Sequence, residues 1–155
     1  MENKMADQIK EKAAPQGPEA AATADYLSGG LKILLALSKY PPGSKSNSNI
    51  MFVTMPSSRG SQHVSSREVV EALDKKYTER TPPSVRLGEI NNLIVSGRSF
   101  AHASYSKPAN GLVTRQDFYT TEDGNHSLQI YLTGMNDEDI ENMKNILKSL
   151  KFDKR

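Results

Sequence analysis

The chain is predicted to fold as an α+β domain, an antiparallel sheet flanked by helices, and three observations carry that expectation. Leu112 to Thr120 and Leu128 to Thr133 alternate in hydrophobicity on either side of Glu122-Asp123-Gly124-Asn125. Alternating runs around an Asp-Gly pair signal a hairpin, because Gly adopts positive φ without a Cβ penalty. Next, Ile140, Met143, Leu147 and Leu150 recur at three and four residues, the period of a helix burying one stripe. Finally, several strand-like segments follow one another without intervening helices, which favours antiparallel pairing over a parallel βαβ arrangement.

Along the chain, Met1 to Ala14 reads as a short N-terminal helix with a thin stripe at Met1, Met5, Ile9 and Ala13. A helix of that length is marginal alone and needs a docking surface. Pro15-Gln16-Gly17-Pro18 stops it, and residues 15–30 form a connector ending at Gly29-Gly30. Leu31 to Ser38 suits helix on propensity, since Leu and Ala favour it. Its confinement between Gly29-Gly30 and Pro41-Pro42-Gly43 favours a strand. Ile50 to Met55 is a second strand ended by Pro56, an antiparallel neighbour of the first.

Ser65 with Glu68 three residues later forms a capping box for a helix striped by Val70, Leu73 and Tyr77 and ended by Thr81-Pro82-Pro83. Val85 to Glu89 and Leu93 to Val95 read as short strands around an Asn91-Asn92 turn. Ser96-Gly97 turns the chain into a longer strand, Arg98 to Ser106. Asn136 or Asp137 caps the last helix, with Asp137, Glu138 and Asp139 facing the positive end of its dipole. Residues 1–155 thus make one domain, with the sheet-and-helix core over 31–152.

Bulk properties narrow the function classes. At 155 residues with 36% hydrophobic content, the chain can bury a core without disulfides or metal. It has no cysteine, which excludes thiolate nucleophiles and Cys-ligated zinc. Its longest apolar run, Ile33 to Leu37, is far short of the roughly 20 residues of a membrane span. A net charge of +2 from 20 basic and 18 acidic residues argues against a nucleic-acid partner. Lys144, Lys148, Lys151, Lys154 and Arg155 gather at the C-terminal end, where cations suit the negative end of a helix dipole. No basic n-region followed by an apolar h-region begins the chain, so no signal peptide is expected within it.

Tyr119 to Phe152, with its acidic-Gly hairpin, Leu-Gln-Ile-Tyr-Leu-Thr-Gly strand end, acidic helix start and terminal Ser149-Leu150-Lys151-Phe152, resembles PsbP-like domains. These are extrinsic lumenal proteins of the oxygen-evolving photosystem and their bacterial relatives. The likeness spans about Leu31 to Phe152 and implies an α/β/α sandwich, a fold shared with a Ran-binding nucleotide-release factor. It also implies export to the periplasm or cell exterior; a cytoplasmic location is the alternative. The family pattern begins with a strand and a Pro-Glu-Gly-Trp-like segment, whereas this chain has no Trp. A missing strand would leave a sheet edge open to another chain, so a homodimer through that edge is expected.

No catalytic group set is recognisable, no cofactor is implied, and no metal site is expected from His63, His102 and His126, which lack ligand spacing. Ser57-Ser58-Arg59-Gly60-Ser61 lacks phosphate-loop spacing, and no serine lies in a Gly-x-Ser-x-Gly elbow. Arg98, His102, Arg115, Tyr119 and Tyr131 fall on neighbouring strands, where cationic and aromatic groups suit an anionic ligand or a protein partner. The plain alternative is that the tyrosines pack under a helix while the arginines reach water. The expected function is a non-catalytic binding or assembly domain with a protein partner or small ligand. The alternative is a small-molecule-binding protein or hydrolytic enzyme using a pocket near His102.

Overall fold

The computed structural model describes residues 32–41, 47–59, 61–109 and 111–152. The expected helix at 1–14 and the connector at 15–30 lie outside the described residues. Ile33–Arg155 forms one compact unit. Its elements are β1 (Lys32–Ser38), β2 (Asn49–Pro56), β3 (Ser58–Arg59), β4 (Gln62–His63), α1 (Ser66–Thr78), β5 (Val85–Arg86), β6 (Asn91–Val95), β7 (Arg98–Ala109), β8 (Leu112–Asp123), β9 (His126–Gly134) and α2 (Asp137–Ser149).

Seven strands make one sheet in the order β1-β2-β9-β8-β7, with β5 and β6 sharing the outer side of β7. β6 pairs with Arg98 to His102 and β5 with Tyr105 and Ser106. All registers from β2 to β9 within this sheet are antiparallel. Strands β3 and β4 form a separate small ribbon.

Two tight turns fix the register of the central strands. Pairing of Asp123 with His126 leaves Gly124-Asn125 as a two-residue loop. Gly124 sits at φ +62 and Asn125 is not in the left-handed region, the pattern of a II′ turn with Gly first. Between β6 and β7 both Ser96 (φ 50) and Gly97 (φ 80) are left-handed, the I′ pattern. The expected turn at Asn91-Asn92 is instead the start of β6, where the two residues oppose His102 and Ala101. Asn favours turns by local hydrogen bonding, but here the ladder with β7 claims its backbone.

Each helix covers one face. The capping box closes α1: Ser65 N–H donates to Glu68 Oε2 at 2.8 Å, and Glu68 N–H to Ser65 Oγ at 3.3 Å. Val70 and Leu73 of α1 are buried, and Asp74 accepts from the Tyr105 hydroxyl at 3.1 Å. Side chains alternate along β7, so Tyr105 marks α1's face and the even-numbered residues Phe100, His102 and Ser104 mark the other. Helix α2 takes that other face, capped by Asn136, whose side chain accepts from Asp139 N–H at 2.8 Å. Ile140, Met143 and Leu147 enter one core with Ile50, Phe52, Phe100, Tyr119, Ile130 and Leu132. Each such fully buried aliphatic side chain contributes roughly 1.5–3 kcal/mol.

Candidate functional site

Beneath α2, the β7–β8 register sets His102 opposite Tyr119 and Ser104 opposite Asp117, so four polar-tipped side chains share one patch of sheet. β6 adds Asn91 opposite His102, and α2 adds Lys144. At the centre is the Asp117 carboxylate, with 0% of its surface exposed. An isolated buried carboxylate is very costly, so its partners decide whether it is tolerated. Ser104 donates to Oδ1 at 2.9 Å. Oδ2 faces His102 Nε2 at 3.2 Å, the Tyr119 hydroxyl at 3.4 Å and Lys144 Nζ at 3.5 Å.

Burial pushes the Asp117 carboxyl up, but the hydrogen bonds from His102 and Ser104 and the charge of Lys144 outweigh it. The group is held below its ordinary value. Lys144 is the mirror case: partial burial disfavours its charge, while Glu141 at 2.9 Å and Asp117 more than restore it. Burial and the neighbouring Asp117 raise the Tyr119 phenol. The His102 ring lies 4.6 Å from the Tyr119 ring, and its Nδ1 is 3.0 Å from Asn91 Oδ1.

Serine, histidine and aspartate in contact suggest a nucleophilic relay, and the geometry decides against one. In a relay the carboxylate orients the imidazole from one nitrogen while the other takes the serine proton. Here Ser104 Oγ (3.3 Å) and Asp117 both address Nε2, and Nδ1 is turned to Asn91. The serine proton already points at the carboxylate. This is a satisfied internal network.

The five residues singled out by sequence are distributed over both faces. His102 and Tyr119 meet in the network. Arg98 lies on the same face toward the Gly124 turn; its Nη2 donates to the Glu122 carbonyl at 2.5 Å, with Asp123 Oδ1 at 3.3 Å. Its guanidinium stands 5.8 Å from the Phe152 ring centre. Arg115 lies at the other end of that face, paired with Asp137 in the first turn of α2. Tyr131 is on the α1 face, 4.8 Å from Phe118, its hydroxyl donating to Gln129 Oε1 at 2.9 Å. The sequence does not single out Asp117 or Ser104, assigns Asn91 to a turn, and assigns Lys144 to the end of the helix dipole, whereas Lys144 faces Asp117 and Glu141. The available signal was an acidic residue within the β8 alternation, on the same parity as Tyr119.

Among the described residues no group of three or more His, Asp or Glu is placed to hold a metal ion. Nor is any described helix long and apolar enough to cross a membrane.

No family model matches the chain, and no curated protein does. Among solved structures it is similar to LpqN, involved in cell envelope biogenesis of Mycobacterium tuberculosis, with a TM-score of 0.51 and 13% identity over 77% of this chain and 76% of that one. It is also similar to PA94 of Pseudomonas aeruginosa, a protein of unknown function and candidate regulator. That match has a TM-score of 0.52 and 14% identity over 82% and 85% of the two chains. At these identities the likeness establishes a shared fold. The resemblance to PsbP-like domains rests on the Tyr119 to Phe152 residues alone.

Proposed function

We propose that this chain is a non-catalytic binding and assembly domain on a PsbP-like scaffold, exported to the cell envelope or exterior. Its partners are a protein or small ligand, and a second copy joined at an exposed sheet edge. One observation supports the non-catalytic part: within the Asp117 network Ser104, His102 and the carboxylate bond to one another, so Ser104 has no free base there. The shared fold with an envelope-biogenesis protein supports the location. Within this reading Arg98 and Arg115, both partly exposed, are the contact residues of the five. His102 and Tyr119 hold the strands beneath them, and Tyr131 anchors the opposite face.

A second reading is favoured by the 3.3 Å approach of Ser104 to His102: a hydrolase in which a bound substrate frees the serine from Asp117. p-Nitrophenyl acetate and butyrate distinguish the two. The full chain is expected to give only background ester hydrolysis, unchanged by Ser104→Ala. Turnover above background that vanishes in Ser104→Ala and in His102→Gln overturns the binding-domain reading. Envelope fractionation of the expressed full-length gene product tests the location, and recovery only in the cytosol refutes it.

A further inference from the structure

Strand β1 ends the seven-stranded sheet: β2 lies on one side, and no described strand lies on the other. It is also apolar without interruption from Ile33 to Leu37. Leu34, Leu35 and Leu37 are 55%, 46% and 44% exposed, on both faces of the ribbon, with Tyr40 half exposed beyond them. Folded proteins usually guard such edges with central charges, prolines or bulges, because unpaired amides and carbonyls template pairing. Ile33 to Leu37 has none of these devices.

The strand is nonetheless held in place. Lys39 N–H donates to the Ser48 carbonyl at 2.9 Å. The Asn47 side chain clasps Tyr40, accepting from its N–H and donating to its carbonyl, both at 3.0 Å. A fixed, extended, apolar edge is ready to receive another strand without first being ordered.

We infer that β1 pairs antiparallel with β1 of a second copy, with Leu35 on the two-fold axis, continuing the sheet across the dimer. The inference deepens the assembly reading above and rests on it. Its occupant follows from the sequence of the edge. A two-fold axis through residue 35 sets Leu35 against Leu35, Leu34 against Ala36 and Ile33 against Leu37, so every apolar residue meets an apolar one. The same register sets Lys32 against Ser38, so no cation opposes a cation, and like charges opposite each other disfavour pairing. Lys39 is engaged by Asp139. Moving the axis to Ala36 brings Ile33 against Lys39, and moving it to Leu34 brings Lys32 against Ala36.

The opposite edge matches itself over a shorter stretch, three apolar positions (Leu93 to Val95) against the five of Ile33 to Leu37. β6 also exposes Leu93 and Ile94. A two-fold axis on Leu93 would set Asn92 against Ile94 and Asn91 against Val95, polar against apolar. An axis on Ile94 pairs Leu93 only with Val95, which is already buried, before reaching Asn92 against Ser96. A seven-residue seam falls below the roughly 1,200 Å² of a standard interface, so a reversible dimer is expected, with Kd on the order of micromolar.

Because the chain has no cysteine, single-cysteine variants report the register directly. Directly opposed residues have Cα atoms about 4.5–5.5 Å apart, within disulfide range. Full-length Leu35→Cys is therefore expected to form a covalent dimer rapidly under mild oxidation, and Ile94→Cys slowly. In sedimentation equilibrium the parent chain should dimerise with concentration. Leu35→Lys and Leu35→Glu should each be monomeric, and an equimolar mixture of the two should dimerise again. That reassociation separates loss of pairing from loss of folding. A parent chain that stays monomeric at millimolar concentration, Ile94→Cys crosslinking as fast as Leu35→Cys, or a mixture that stays monomeric overturns the inference. None of these results touches ester hydrolysis, so the binding-domain reading is judged separately.

Discussion

Lys39 Nζ lies 2.9 Å from Asp139 Oδ1, an ion pair joining the end of β1 to the first turn of α2 across a hundred residues of sequence. The other carboxylate oxygen accepts from Ser48 Oγ at 2.5 Å, and Ser48 Oγ in turn accepts from Met135 N–H at 3.3 Å. The Ser48 hydrogen bond first, then the Lys39 contact, hold the Asp139 carboxyl below its usual range, and the same contact raises the Lys39 ammonium. One acidic side chain thus ties the apolar edge to the helix covering the sheet.

Asp139→Asn and Ser48→Ala are therefore expected to loosen β1 selectively. Amides of Ile33 to Ser38 should exchange several-fold faster, while those of β8 and β9 keep their protection, since local opening reads local anchoring. Hydrogen exchange by NMR or mass spectrometry checks this. Uniform acceleration over the sheet would show that the anchor is not local.

A second consequence concerns acid. The folded Asp117 carboxyl titrates below its unfolded counterpart, so between the two values the unfolded chain binds more protons. Stability from this group is complete above roughly pH 4, the ordinary aspartate value, and is lost as pH falls through the lowered one. Asp117→Asn should flatten the decline in denaturant midpoint between about pH 5 and 2 relative to the parent. At pH 7 the same change should cost about 3 kcal/mol, because it unbalances a buried charged network. Urea titrations across that range decide it.

The contrast between Asp117 and the last hairpin explains what the sequence makes legible. Alternation over Leu112 to Thr133 and the stripe at Ile140, Met143 and Leu147 are local periodic signals, and β8, β9 and α2 form where they occur. The capping box at Ser65 and Glu68 is equally local. Asp117's neighbours are not, because they depend on how β7 registers against β8. The expected end of β7 at Ser106 stops short of Pro108, which pairs with Val113 at the strand's last turn of ladder. Without that extension, Ser104 cannot be placed opposite Asp117.

Asp139 shows the same boundary from another side. Its position suits a helix dipole, and nothing nearby in sequence points to Lys39 or Ser48. The separation of Tyr131 from Tyr119 was within reach. A two-residue loop at Gly124-Asn125 pairs Asp123 with His126, hence Tyr119 with Ile130, which turns Tyr131 to the opposite face. Asn91, by contrast, carries a turn preference that a cross-strand histidine overrides.

The junction of β9 and α2 supplies a packing test. A Cβ built on Gly134 would meet Ile140 Cγ1 at 3.0 Å, Cδ1 at 3.1 Å and the Asn136 carbonyl at 3.2 Å. Ile140 is 1% exposed and lies in the core with Met143 and Leu147. Gly134→Ala should thus destabilise by about 1–2 kcal/mol, the usual cost of overpacking. Ile140→Ala alone should cost about 3 kcal/mol through its cavity. Together the two should cost less than their sum, because the added methyl occupies space the isoleucine vacates. A double-mutant cycle by chemical denaturation measures the coupling, and strict additivity would refute the contact.

Alkaline titration tests the two faces separately. Six tyrosines are present. Burial first, then the charge and hydrogen bond of Asp74, raise the Tyr105 phenol on the α1 side; burial, then Asp117, raises Tyr119 under α2. A phenol whose folded value is raised contributes stability that is complete below its unfolded value, near pH 10, and is lost as pH rises toward the folded one. Absorbance at 295 nm should therefore show the Tyr105 and Tyr119 phenols resisting ionisation until the fold opens. Tyr105→Phe should remove one of them and cost about 1 kcal/mol at neutral pH, since Asp74 keeps Arg86 at 2.9 Å as a partner. In Asp117→Asn, Tyr119 should ionise at lower pH, because the nearby negative charge is gone, while Tyr105 stays late. If both phenols move together in that variant below the pH at which its fold opens, as followed by circular dichroism, the two sides of the sheet are not electrostatically independent, and the assignment of Asp117 to the α2 face alone is wrong.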